Sequence, residues 1–193
     1  MIFFYKVLDE EILEMRNEIF INRGLSALQK HGFVELPFLT ACFGKDDYGD
    51  YTYNLCRLSG NHLEKLSVDI VKGDRWIKVY LNIFSLRPTL DSIKSLQKVD
   101  GLQYVLPPNS KTEMRLREDD FKGMPLFNFV HHCIGSYATE AGFKRRLKQL
   151  GDLIERDMEN INSFVQRWHE LHTPLVTDWE GHVIEKDESD SGG

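Results

Sequence analysis

No run of about 18 consecutive apolar residues occurs in the 193-residue sequence, so no membrane-spanning helix is expected. The start, Met1 to Lys6, turns acidic at Asp9-Glu10-Glu11 with neither a basic region nor a long apolar stretch, so no secretory signal is read there. Cysteine is scarce. Cys42, Cys56 and Cys133 are odd in number and lack metal-type spacing, and Cys42 and Cys56 sit in apolar or alternating runs. Buried free thiols and a reducing compartment follow, and a cytoplasmic protein is expected. Phosphate loops are missing, as are the dinucleotide glycine fingerprint and the Gly-x-Ser-x-Gly elbow. No cofactor is expected. Low apolar content and extreme charge are also absent, so the chain as a whole is not of the disordered class. Its length suits one domain with its own core.

What is present points to an α+β fold. Residues 9–30 carry a helical stripe (Ile12, Met15, Ile19, Leu25, Leu28), with Asp9 as a cap, Gly24 as a break and Gly32 as a stop. Residues 51–59 and 62–72 alternate around Gly60-Asn61, and residues 75–86 follow a second turn at Gly73-Asp74. Two such turns predict a three-stranded antiparallel meander over about 51–86. Residues 33–43 add a strand, demoted toward an edge by Pro37. A short helix is expected at 89–98, with short strands at 102–106, 113–117 and 181–184. Residues 143–172 read as one long helix, because Phe143, Leu147, Leu150, Ile154, Met158, Ile161, Val165 and Trp168 recur at steps of three or four. The sum is a single domain over residues 1–184, an antiparallel sheet between an N-terminal helix and a long C-terminal helix. Residues 185–193 read as a disordered acidic tail.

The formal charge of −6 is unevenly placed. From Asp178 onward there are six acidic residues and one lysine, which leaves a net −1 for everything before. Nucleic-acid binding rests on phosphate neutralisation and is not expected of such a chain. The one basic cluster, Lys144-Arg145-Arg146 with Lys148, stands oddly near a helix start, where cations oppose the dipole. Either the helix begins earlier, or acidic neighbours such as Glu118-Asp119-Asp120 neutralise the cluster, or a partner uses it.

Few residues suggest catalysis. His131-His132-Cys133 gathers donor types, and His169 and His172 lie one turn apart. Neighbours on an extended segment point to opposite faces, so a shared metal is not expected, and His169-Glu170-Leu171-His172 is not a zinc-protease motif. Asp152, Glu155 and Glu159 share a helix face with basic neighbours, as solvated helix surfaces do. No catalytic residue and no metal ligand is assigned. The third strand is more distinctive. Ile77, Val79, Leu81 and Ile83 form one face, while Trp76, Tyr80 and Phe84 make the other aromatic. Such a strand is covered on both sides, or its aromatic face meets a partner. Trp76, Tyr80 and Phe84, with Tyr51 and Tyr53, are the candidate binding residues, in a face that Tyr48 extends.

The order of a helix, Leu28-Gln29-Lys30-His31-Gly32-Phe33, a meander and Val79-Tyr80-Leu81-Asn82-Ile83 resembles bacterial α+β domains of unknown function found near toxin–immunity loci. The resemblance spans residues 20–90 at most and carries no catalytic residues across. It implies a non-enzymatic, immunity- or antitoxin-like domain that binds and occludes a protein partner. Two alternatives stay open. One is a small metal-dependent or Cys/His enzyme centred on His131–Cys133. The other is a homo-oligomeric structural protein that associates with itself.

Overall fold

The computed structural model describes residues 5–39, 41–100, 112–120 and 130–184. The expected strand at 102–106 and the expected tail at 185–193 lie outside these described residues. The chain runs through α1 (Asp9–Ile19), a π-helical turn (Phe20–Leu25), α2 (Ser26–Lys30), β1 (Val34–Glu35), β2 (Phe43–Lys45), β3 (Tyr51–Ser59), β4 (His62–Ile70) and β5 (Lys78–Leu86). A 3-10 turn (Ile93–Lys98), β6 (Met114–Arg115), α3 (Glu140–Glu159), α4 (Ile161–Leu171) and β7 (Leu175–Thr177) complete it. The fold is α+β, as the sequence indicates. Among the described residues no helix is long and apolar enough to cross a membrane.

β3, β4 and β5 form the meander, and Ser59 pairs with His62 across Gly60, whose φ of +57° suits glycine. The second turn is wider than two residues. The last β4–β5 pair is Asp69 with Lys78, and residues 71–77 form the connection. Their backbone groups are satisfied elsewhere. Arg16 of α1 donates to the carbonyls of Val71 (2.9 Å) and Trp76 (2.5 Å). Asp50 accepts from the Lys72 N–H (2.7 Å), and Ile77 and Ile134 bond across to His132 and Arg75. Short strands flank the meander. β1 and β2 divide the outer edge of β3 between them, while β6 and β7 divide that of β5. All pairings are antiparallel except β7, which runs parallel to β5.

The period of two in the strands separates two cores. Leu55, Leu66, Val68, Val79, Leu81 and Ile83 face α1, the π turn, α3 and α4. Cys56, Leu63, Phe84 and Leu86 face the other way and meet Leu36, Phe38, Leu90 and Leu96. The π turn brings Gly24 against α3, where a Cβ would lie 2.8 Å from a Phe20 ring carbon and 2.9 Å from Ile154. Gly24 is thus a packing residue and does not end the helix.

The long C-terminal helix is two helices. Asn160 leaves helical geometry (φ −102°, ψ 23°) and its side chain donates to the Arg156 carbonyl (2.7 Å), closing α3. The apolar stripe nevertheless continues into α4, and all eight stripe residues pack in or against the first core. α3 begins at Glu140, with Thr139 Oγ1 accepting from the Gly142 N–H. That early start explains the basic cluster. Lys144 pairs with Glu140 and Lys148 with Asp152, each at 2.6 Å.

Candidate functional site

The five predicted binding aromatics divide between the two faces of the sheet. Phe84 is fully buried in the second core. Tyr80 is half-buried beside Arg115, its register partner on β6, and burial raises its hydroxyl pKa. Trp76 is half-buried, with the Arg115 guanidinium 4.9 Å from its ring centroid and the His131 ring 5.2 Å away. Tyr51 and Tyr53 stand on the helix side, their rings stacked at 6.4 Å. The Tyr51 hydroxyl donates to Glu14 (2.7 Å). The Tyr53 hydroxyl donates to Asn17 and is pushed up to about 12, chiefly by burial. The five therefore do not make one surface, because alternate residues of a strand face opposite ways.

Tyr48 is placed differently. It sits at the tip of the β2–β3 hairpin and is 91% exposed. The tip is held firmly. The Asp46 N–H donates to the Asp50 carbonyl (2.8 Å), and Asp46 Oδ1 accepts from the N–H groups of Tyr48 (2.9 Å) and Asp50 (3.0 Å). Gly49 takes φ +86° and donates to the Asp46 carbonyl (3.0 Å). At the base Lys45 pairs with Glu14 (3.1 Å) and Glu10 (3.4 Å) of α1. A phenol ring thus stands in water on an ordered loop, among the carboxylates of Asp46, Asp47 and Asp50. The turn-forming run Asp46-Asp47-Tyr48-Gly49-Asp50 is the sequence signal for it.

The His131–Cys133 segment turns at His132, where the Cys133 N–H donates to the His131 carbonyl (2.7 Å), and its side chains still divide between inside and outside. His132 points inward. Its Nε2 lies 2.8 Å from Asp157 Oδ2, and Arg117 grips the same carboxylate at 2.7 and 2.5 Å. Burial pushes the Asp157 carboxyl up, but the bonds from His132 and Arg117 outweigh it and hold the pKa below the usual range. Arg117 adopts φ +68°, an uncommon conformation for a side-chain-bearing residue, and its ion pair offsets that strain. His132 Nδ1 is buried and has no hydrogen-bond partner among the described residues. His131 and Cys133 point outward into a cleft of about 450 Å³ against α3. Burial raises the Cys133 thiol, the opposite of what an activated nucleophile needs.

A buried polar patch occupies the remaining half of the second sheet face. Lys65 Nζ donates to Ser67 Oγ (2.8 Å), Ser67 Oγ to Asn54 Oδ1 (3.0 Å), and Asn54 Nδ2 to the Cys42 carbonyl (3.1 Å). Thr112 donates to Asn82 Oδ1 (3.0 Å). Burial pulls the Lys65 amine down to about 8, against the opposing pull of Glu113 and Asp69. Cys56 and Lys65 are register partners on this face, and burial pushes the Cys56 thiol up to about 12.

The carboxylates of α3 find partners that the sequence did not suggest. Asp152 and Glu155 pair with Arg23 of the π turn, at 2.7 and 3.4 Å. His169 lies against His62 (5.7 Å between centroids), and both His169 and His172 pack on Trp168. Near the C-terminal end, Asp178, Glu180 and His182 bring donor atoms within 4.8 Å of one another. Asp178 is already committed to a turn, accepting from the N–H groups of Glu180 (2.9 Å) and His182 (2.8 Å).

No family model, no curated protein and no solved structure matches the chain.

Proposed function

We propose that the protein is a non-enzymatic interaction domain that binds and occludes a protein partner, with the 46–50 hairpin tip as its contact element. The observation that carries this reading is the ordered, almost wholly exposed Tyr48. Tyrosine supplies large contact area for little side-chain entropy, and a loop already fixed in place loses less freedom on binding. The flanking carboxylates of Asp46, Asp47 and Asp50 favour a basic partner surface, since opposite charge speeds encounter. The resemblance to immunity-type domains adds the same kind of partner. A Cys/His enzyme has less behind it: His132 is turned into the protein and the Cys133 thiol is raised by burial.

The test uses the whole chain as bait in lysate of its source organism, beside the Tyr48→Ser variant. Tyr48 is exposed, so the variant keeps its melting temperature. A partner held by the native chain and lost by the variant, more weakly held as salt rises, is the expected result. Equal capture by both removes the hairpin from the reading. Light scattering separates the remaining alternative: self-association abolished by Tyr48→Ser makes the partner a second copy of this chain.

A further inference from the structure

The cleft between residues 130–136 and α3 shares no residue with the hairpin, and its chemistry is of a different kind. Leu150 and Leu153, themselves nearly buried, underlie it as an apolar floor, with Val130, His131 and Cys133 on the wall. Its fixed cation is Arg146. The Arg146 Nε–H donates to the Ser136 carbonyl (3.3 Å), and Nη1 donates to Gln149 Oε1 (3.1 Å). Both partners are neutral, and Arg146 has no carboxylate partner among the described residues. No carboxylate is among the described residues lining the cleft. Gly135 lies alongside it: a Cβ there would stand at ordinary contact distance from Arg146, 3.4 Å from Nε and 3.6 Å from Cζ. The guanidinium is thus held by two bonds, with Nη2 and one Nη1 proton uncommitted among the described residues.

We infer that this cleft binds a carboxylate carried on an apolar group, with Arg146 as the anchor and Leu150 and Leu153 as the floor. An oriented guanidinium matches a carboxylate in shape and charge, and an apolar floor rewards a tail that leaves water. A phosphate dianion fits less well, since one cation would have to offset two charges beside apolar walls. The volume lies within the usual range of small-ligand pockets, about 300–1,000 Å³. Such a carboxylate has two sources, a free acid or the C-terminus of a peptide, and both present the same group to Arg146.

Cys133 lines the cleft and reports on it directly. Alkylation of the full chain by iodoacetamide is followed cysteine by cysteine by peptide mass spectrometry. Two probe pairs are compared: 4-phenylbutyrate with 4-phenylbutanamide, and a short peptide ending in phenylalanine with its C-terminal amide. The expected result is saturable slowing of Cys133 alkylation by an acid, at least about tenfold weaker with its amide, and no effect on Cys42. Whichever acid protects names the source. Arg146→Gln abolishes protection and Arg146→Lys retains part of it. Exposure of Cys56, which is fully buried in the native fold, shows whether a variant has opened. The acid–amide comparison on the native chain stands whatever the variants do. Protection by amide and acid alike, or no protection of Cys133 by either acid, overturns the inference.

Discussion

Arg16, Asp157 and Lys65 are charged residues almost wholly removed from water, and each is handled differently. Arg16 spends its guanidinium on the carbonyls of Ile12, Val71 and Trp76, so one side chain holds α1 to the 71–77 connection. Asp157 is matched by Arg117 and His132. Lys65 donates to the Ser67 hydroxyl, and the carboxylates of Glu113 and Asp69 act on it electrostatically. Its depressed pKa has a consequence for stability. The folded protein favours the neutral amine, so between about pH 8 and the ordinary lysine value of 10.5 the unfolded chain binds more protons. Stability from this group therefore rises with pH across that window, by up to about 3 kcal/mol. Buried Tyr53 and Cys56 act in the opposite direction, so the comparison must be with Lys65→Met, which shares them. Denaturant melts across the window should show the native chain gaining on the variant as pH rises. Parallel pH profiles would show that Lys65 stays charged in the fold.

At the scale of elements, the π turn decides how closely the N-terminal helix approaches α3. Gly24→Ala gains helix propensity of up to about 1 kcal/mol. It also forces a methyl to within 3.0 Å of Phe20 and Ile154, both fully buried. Overpacking typically costs about 1–3 kcal/mol, so the net effect is destabilising. A fall of a few degrees in melting temperature is expected, and a rise would mean that the helices can part without loss. The meander was readable because its chemistry is local: Gly60-Asn61 turns the chain and the alternation assigns the faces. The split at Asn160 was not readable, because the apolar stripe runs across it undisturbed. Nor was the width of the second turn. Gly73-Asp74 resembles a tight hairpin in isolation, and only Arg16, Asp50 and the 132–134 segment, remote in sequence, make the wider connection the better solution.

For the whole molecule, β4 is the only meander strand with full-length neighbours on both sides. Native-state hydrogen exchange should find the slowest amides there, at Leu66 and Val68, and faster exchange in β1 and β7. Uniform protection across the sheet would contradict that ordering. The candidate site was less legible than the fold. Aromatic content marked Trp76, Tyr80 and Phe84, yet exposure depends on what the rest of the chain lays over each face. Tyr48, noted only as an extension of that set, is the one left standing in water. Arg146 read as one member of a basic cluster, and only the path of residues 130–136 sets it in a cleft.

The rims of the sheet bear on how a partner can be engaged. Each is tiled by pieces of two or three residues, β1 with β2 on one side and β6 with β7 on the other. An incoming chain that tried to extend the sheet would find no continuous ladder of unpaired N–H and C=O groups on these described strands. Strand addition, domain swapping and fibril-like stacking all need that ladder. On the proposed reading, recognition passes through side chains, and the fold can present an acidic, aromatic tip without these rims becoming a template for aggregation.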